Sequence, residues 1–370
     1  MTGSNPTTGP VGVGVIGAGV ISTQYLDNLT TFPDVRVLFV SDLDVSRAQA
    51  QAEKYGIPGF GTTDELLAHP DIEIVVNLTI PAVHVEVALQ ALAAGKNVWT
   101  EKPIALDRES GAHLLAEAQR LGLRVATAPD TFLGAGLQGG RRLIEEGRIG
   151  TPLTALTLFQ VSGPESWHPH PDFLYAKGAG PLFDMGPYYL TTLVQNLGPV
   201  KRVAATASQS RPTRVIGSGP RAGEEFAVEV PTHISALLEF EGGASAQSVF
   251  SFQSHLSRAG FVEIAGTEGT LVFPDPNMFE GDLVLWNGAE EPETITTTKI
   301  AERGTGVVDL ARAIRAGIPE RASGELAFHV LDIMVSIIEA AESSAFVDVA
   351  STVEVQPPLP SDWDPRAATL

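Results

Sequence analysis

The sequence predicts an α/β domain built on a parallel sheet, followed by an α+β domain with a large, mainly antiparallel open sheet. Three observations carry this reading. Short β-branched runs alternate with helical stretches from Val11 to about Ala128, which is the rhythm of βαβ units. A glycine-rich turn joins the first strand to the first helix. After about Pro129 the alternation stops and longer strand-like runs take over.

In the first half, strands are expected at Val11–Ile16, Val35–Val40, Ile74–Leu78, Asn97–Thr100 and Leu123–Ala126. Helices are expected at Ser22–Leu29, Ser46–Tyr55, His84–Ala94 and Arg108–Leu121, the last two ended by Gly95 and Gly122. The strands are almost continuously apolar, as a sheet covered on both faces requires. In the second half the expected strands are Leu153–Val161, Val200–Gln209, Thr232–Phe240, Ala244–Phe252, Phe261–Ala265 and Thr270–Val272. Partial period-two alternation around Ala246–Phe250 fits a sheet with one covered face, and helices at Met185–Leu197 and Glu325–Ser343 are available to cover it. Ser210–Gly223, rich in Arg, Pro and Gly, reads as a long loop, and there are no internal repeats. The expected domains are residues 11–129 and 130–360.

A chain of 370 residues is too long for one ordinary core and suits two. Apolar residues make up 44% of it, enough to build both. Acids outnumber bases 44 to 24, and the net charge of −20 repels phosphate backbones and anionic lipid, so neither nucleic acid nor membrane is an expected partner. The absence of cysteine excludes disulfides, thiolate metal sites and a cysteine nucleophile. Met1–Pro10 has neither a basic start nor an apolar stretch and is expected to be a flexible lead-in rather than a secretory signal. The expected location is cytoplasmic.

Two glycine registers are possible in Gly12–Ser22. Gly12, Gly14 and Gly17 match G-x-G-x-x-G literally but fall inside the first strand. Gly17, Gly19 and Ser22 follow the strand and open the helix, with Val20 and Ile21 between them as expected cofactor-binding positions, so this second register is the expected dinucleotide turn of a Rossmann domain. Gly17 permits the tight turn, Gly19 lets the backbone approach a pyrophosphate, and the helix N-terminus offers N–H groups to it. Asp42, at the end of the second strand, stands where a carboxylate accepts hydrogen bonds from the adenosine ribose hydroxyls and repels a 2′-phosphate. No arginine follows it directly, and Arg47 is five residues on. NAD is therefore favoured over NADP. Asp44 reads as a helix-capping or turn acid.

The fourth expected strand ends in Glu101-Lys102-Pro103. Ligands of open α/β sheets sit outside the carboxyl ends of the strands, which places Lys102 where nicotinamide and substrate meet. An ammonium there stabilises developing alkoxide charge, and a lysine whose pKa falls on burial can join a proton relay. Pro103 restricts the backbone before it.

The glycine turn, Thr79-Ile80-Pro81 with His84, Glu101-Lys102-Pro103 and the segment Gly178–Tyr188 together resemble the glucose–fructose oxidoreductase / inositol dehydrogenase / rhizopine-catabolism (Gfo/Idh/MocA) family over nearly the whole chain. The resemblance implies hydride transfer between a nicotinamide cofactor and a hydroxyl-bearing carbon of a carbohydrate. It implies that Lys102 binds or polarises the reacting hydroxyl, that Asp184 contacts another hydroxyl or the lysine, and that Thr79, Pro81, His84, Glu101 and Lys102 border the cofactor. It also implies a homo-oligomer, a dimer or tetramer, formed on the open sheet. Asp184 and position 188 share one helical face. Where the family carries a histidine general base, this chain has Tyr188. Either its phenol is the acid/base, with Lys102 lowering its pKa, or it only hydrogen-bonds while Lys102 moves the proton.

Trp167 and His168 lie in Glu165–Pro171, a proline-stiffened loop in which Trp167 is placed to stack on a sugar face and His168 to hydrogen-bond. Two histidines at i, i+2 lack a convincing third ligand, so no metal is expected. Two other readings stay open: a redox elimination of glycosides that shows no net NADH, and a non-catalytic sugar or nucleotide sensor with the same fold.

Overall fold

The computed structural model describes residues 8–298 and 301–370; the lead-in expected over Met1–Pro10 lies largely outside them. Two compact units are present. One gathers Met1–Gly134, Lys299–Phe328 and Gln356–Leu370, and the other Ala135–Thr298 and His329–Val355.

The first unit runs β1 (Val11–Ile16), α1 (Val20–Leu29), β2 (Val35–Ser41), α2 (Val45–Tyr55), β3 (Gly59–Gly61), α3 (Thr63–Ala68), β4 (Ile74–Asn77), α4 (His84–Ala93), β5 (Asn97–Thr100), α5 (Arg108–Leu121) and β6 (Val125–Thr127). The sheet is parallel throughout, in the order β3-β2-β1-β4-β5-β6. That order reverses direction beside β1, which opens a crevice at the carboxyl ends of β1 and β4. Every residue of β1 is buried. Gly12 and Gly14 lie inside that strand for packing reasons: a Cβ at Gly12 would meet Asp71 O at 1.8 Å, and one at Gly14 would meet Leu66 and Ile72 side chains at 2.8 Å.

Caps set the helix ends. Asp44 caps α2 through Ser46 N, and Gly56 closes it in the left-handed region. Thr62 and Glu65 form a capping box on α3. This six-residue helix and the three-residue β3 before it escape the sequence expectations because neither is long enough to show a period.

In the second unit the elements are α6 (Ala135–Glu145), β7 (Pro152–Gln160), α7 (Gly180–Leu197), β8 (Val200–Ser208), β9 (Thr213–Val215), β10 (Glu225–Ala227), β11 (His233–Phe240), β12 (Ser245–Ser251), β13 (Arg258–Gly266), β14 (Thr270–Phe273), β15 (Leu283–Trp286) and β16 (Glu293–Ile295). Most of α9 (Gly324–Ser343) and then β17 (Val347–Asp348) complete it, while α8 (Thr305–Ala316), which precedes α9 in the chain, lies in the first unit. Nine strands order as β16-β15-β14-β13-β7-β12-β11-β8-β17, antiparallel except for β7 with β12. β9, inside the stretch read as a loop, pairs with β10 just beyond it to form a separate ribbon. Buried and half-exposed residues alternate along β11. Tyr189 of α7 sits edge-on to Phe250 of β12 at 5.8 Å and tilted against Phe159 of β7 at 6.1 Å, tying the helix to the covered face.

The compact units do not follow a single cut at residues 129–130. α8 belongs with the first unit, and buried ion pairs are the reason. Arg315 donates to both oxygens of Glu73 at 2.7 Å, and Arg312 donates to Asp34 at 2.7 Å. Deleting one partner of such a pair typically costs about 3–5 kcal/mol. Asp34 also accepts from Thr369 and Leu370, so the C-terminal segment closes onto the same unit. These groups hold Asp34 below the usual carboxylate range against the opposing effect of its burial. No helix among the described residues is long and apolar enough to cross a membrane.

Candidate active site

The first group of candidate residues stands on the carboxyl edge of the parallel sheet. Gly17 leaves β1 with φ +103°, and a Cβ there would meet Leu78 O at 2.7 Å, so both backbone and space demand glycine. Gly19 differs. Its φ is −76°, and a Cβ there would meet nothing within 4 Å, so its bareness leaves open space above the start of α1. Gly19 caps α1 without a side-chain hydrogen bond. Ser22 is fully buried and donates to Gly19 O at 2.6 Å, holding the first turn closed. An open glycine before a helix start is a cradle that fits a pyrophosphate.

Asp42 follows β2. Its Oδ2 accepts from Ala18 N at 2.7 Å and its Oδ1 from Asp44 N at 2.9 Å. The carboxylate therefore braces the glycine turn directly, a contact that a motif does not reveal. Val20, Leu43 and Ile80 are exposed apolar side chains just past β1, β2 and β4, three neighbouring strands. Leu43 and Ile80 were not singled out from the sequence; the available signal was an apolar residue directly after a strand end.

Past β4, Asn77 is buried and organises the turn. Its Oδ1 accepts from Thr79 Oγ1 at 2.7 Å, and its Nδ2 donates to His84 O at 3.0 Å. His84 opens α4 with its ring buried, Nδ1 2.8 Å from Pro103 O and Nε2 3.0 Å from Thr79 O. Burial pushes its pKa down. A neutral ring has one N–H and donates to only one of these two carbonyls. His84 thus lies between the Thr79–Pro81 turn and the Lys102–Pro103 turn and donates to one of them, and Pro81 starts a short 3₁₀ turn before it.

Lys102 is half-buried past β5, and its peptide bond to Pro103 is cis, as is Ala128–Pro129. Lys102 N donates to Glu101 Oε2 at 3.1 Å, while Glu101 Oε1 accepts from Tyr25 Oη at 2.8 Å. Asp130, fully buried beyond β6, accepts from Gly304 N at 2.8 Å, Gly306 N at 3.2 Å and Arg303 Nη1 at 3.0 Å. Burial raises its pKa, opposed by these donors. Tyr25, Asn77, Asp130 and Arg303 are supporting residues that sequence reasoning missed.

The second group lies in the other unit. Asp184 and Tyr188 occupy successive turns of α7, as their spacing requires. Asp184 is half-buried and Tyr188 buried. Gly180 begins the helix at φ +89°, and a Cβ at Gly186 would press Met334 Sδ at 3.0 Å. Tyr189 is a core residue whose hydroxyl accepts from Gly260 N at 2.7 Å.

Trp167 is 67% exposed. Its ring lies 5.5 Å from that of His168, and His168 lies 5.5 Å from exposed Phe173, both edge-on. His168 Nδ1 accepts from His170 N at 3.0 Å, which leaves Nε2 to carry the proton. In the same loop Glu165 is half-buried, accepting from Arg214 and Tyr175. The acid in this loop is thus an internal anchor. Among the described residues no group of three or more His, Cys, Asp or Glu is arranged to hold a metal.

Comparison with known proteins adds to this geometry. Residues 11–128 match the Gfo/Idh/MocA oxidoreductase family model for the NAD-binding Rossmann fold, and residues 138–272 match the C-terminal domain model of the same family. The chain is 27% identical to trans-1,2-dihydrobenzene-1,2-diol dehydrogenase of Bos taurus over 275 residues, covering 74% of this chain and 76% of that one. It is 28% identical to 1,5-anhydro-D-fructose reductase of Ensifer adhaerens over 266 residues, covering 70% and 74%. A solved structure of levoglucosan dehydrogenase in complex with NADH and L-sorbose superposes with a TM-score of 0.80 at 21% identity, covering 92% of this chain and 99% of that one; at that identity the likeness is one of fold.

Proposed function

The chain belongs to the Gfo/Idh/MocA oxidoreductase family, and from that premise we propose that it moves a hydride between NAD and a hydroxyl-bearing carbon of a sugar, polyol or glycoside. The observation that carries this reading is the common edge of the first sheet. The Gly17–Gly19 turn, Asp42 and Glu101-Lys102-Pro103 follow the carboxyl ends of β1, β2 and β5 in one parallel sheet. The substrate class rests on the relatives, whose names specify a cyclic diol, an anhydro-sugar and levoglucosan.

When bound, nicotinamide supplies the hydride acceptor or donor. The chain's residues do the rest. Gly19 and the first N–H groups of α1, at Val20 and Ile21, receive the pyrophosphate, and Asp42 receives the ribose hydroxyls. A carboxylate already committed to two backbone N–H groups keeps lone pairs for hydroxyls but repels a further phosphate, which selects NAD over NADP. Thr79, Pro81, His84 and Glu101 shape the turns around the cofactor. Lys102, as an ammonium, stabilises negative charge on the reacting oxygen as its proton leaves. Asp184 binds a substrate hydroxyl, Tyr188 takes or lends the proton, and Trp167 with His168 receives the sugar's flank. The half-exposed face of the nine-stranded sheet forms a homo-oligomer, and the protein works in the cytoplasm.

The test is NADH formation across a panel of sugars, polyols and glycosides with NAD or NADP supplied. Sustained, NAD-selective reduction with one substrate class is the expected result. Silence across the panel from protein that binds NADH overturns the proposal.

A further inference from the structure

Lys102 has a backbone as well as a side chain, and its N–H is held by a chain of hydrogen bonds reaching into the core. Lys102 N donates to Glu101 Oε2 at 3.1 Å. The other carboxylate oxygen accepts from Tyr25 Oη at 2.8 Å. Tyr25 Oη in turn accepts from Trp99 Nε1 at 3.0 Å. The direction of this chain is forced. An indole N–H only donates, so the phenol oxygen is the acceptor there and spends its single proton on Glu101. Tyr25 and Trp99 are both fully buried, so no solvent is at hand to replace either partner. Burial and the neighbouring carboxylates raise the Tyr25 pKa well above its ordinary value, which keeps the phenol a donor.

Trp99 is itself locked. A Cβ at Gly306 would lie 2.1 Å from Trp99 Cη2, so α8 is pressed against the indole, and Asp130 pins that turn through the Gly304 and Gly306 N–H groups. Tyr25, from α1, therefore receives a fixed donor from β5 and offers a fixed donor to the turn that follows β5.

We propose that Tyr25 is a positioning residue, bracing the Glu101 carboxylate and through it the Lys102 backbone on which the reacting ammonium is mounted. The inference rests on the function proposed above only in the role it gives Lys102. It predicts that Tyr25 acts through Glu101 and not by filling space. Side chains that must hold a reacting group within a fraction of an ångström depend on such support.

The experiment is a double-mutant cycle on the full chain with Tyr25→Phe and Glu101→Gln, read in kcat and KM together with backbone amide and indole NMR of the deuterated protein. Tyr25→Phe keeps the ring and removes the hydroxyl. It is expected to lower kcat roughly 10- to 100-fold while KM for NAD moves less than about threefold. In the Glu101→Gln background most of that loss should vanish, because coupled residues are non-additive. The Lys102 amide and Trp99 indole signals should both shift in Tyr25→Phe. Additive losses with an unmoved Lys102 amide overturn the brace and leave Tyr25 a packing residue. A wild type without turnover sinks the dehydrogenase reading alone, and the NMR signals then decide the brace. Should Tyr25→Phe fail to fold, Trp99→Phe removes the upstream donor, and an unmoved Lys102 amide in that variant has the same overturning force.

Discussion

In the six-stranded sheet every residue of β1 is buried, and the candidate residues stand beyond the strand ends, on turns. In the nine-stranded sheet residues along β11 alternate between buried and half-exposed, and the candidates stand on α7 and the loop before it. The first arrangement separates stability from the proposed chemistry: the strands bury, and the turns carry the residues proposed to react. The second mixes them, because Asp184 and Tyr188 belong to the helix that covers the sheet, and Tyr188 is next to the core aromatic Tyr189. A change on a turn of the first unit should therefore be able to remove function and spare the fold. A change on α7 touches both.

The largest expected effect is Lys102→Met, which should cut turnover by roughly 10³-fold. NADH affinity, followed by fluorescence titration, should stay within a few-fold. A variant turning over at near-normal rate would remove Lys102 from the chemistry.

The two turn glycines then separate the roles within one loop. Gly17→Ala forces a methyl against Leu78 O at a positive φ and should destabilise the protein by roughly 3 kcal/mol in urea unfolding. Gly19→Ala meets open space at an ordinary φ, so its unfolding midpoint should not move while NADH affinity drops. Equal stability losses in both variants would show that the cradle is structural at both positions.

A smaller change is expected from Asp42→Ala, which should reduce NAD-over-NADP preference about tenfold, the size of one lost charge-assisted hydrogen bond. Initial-rate comparison of the two cofactors checks it. Unchanged selectivity would confine Asp42 to bracing Ala18 and Asp44.

The smallest effect tests the second unit through pH. Val200 N donates to His329 Nε2 at 3.0 Å, which needs a neutral ring, and burial lowers the pKa of this imidazole. The unfolded chain therefore binds a proton at higher pH than the folded one. Stability from this group is present above the unfolded pKa of about 6.5 and is lost as pH falls below it. His84 carries the same sign in the first unit. His329→Gln retains an acceptor for Val200 but does not titrate, so it should remove part of the acid loss, about 1 kcal/mol. Unfolding midpoints at neutral and mildly acidic pH measure this, and parallel curves for both proteins would deny His329 a share.

Legibility varied with the distance over which a signal acts. The strands and helices of the first half stood within a residue or two of their expected bounds, since apolar runs and caps such as Asp44 and Gly122 are local. The short β3 and α3, the ribbon β9–β10 and the strands β15 and β16 lacked enough residues for a period. α8 has a strong apolar face, yet nothing in the sequence links Arg315 to Glu73 or Gly306 to Trp99. His84 was expected to border the cofactor turn, but its two carbonyl partners come from turns on two different strands.

By itself the sequence determined the fold class, the family, the glycine register and the strand-end placing of Asp42 and Lys102. Each of these follows from steric and hydrophobic rules acting over a few residues. The tertiary structure alone decided that Asp42 braces the glycine turn, that Tyr25 and Trp99 support Glu101, and that Glu165 anchors its loop to Arg214 and Tyr175. It also decided that α8 belongs with the first sheet. These contacts join residues tens to hundreds of positions apart, and such a hydrogen bond or ion pair exists only once burial has removed water as the competing partner.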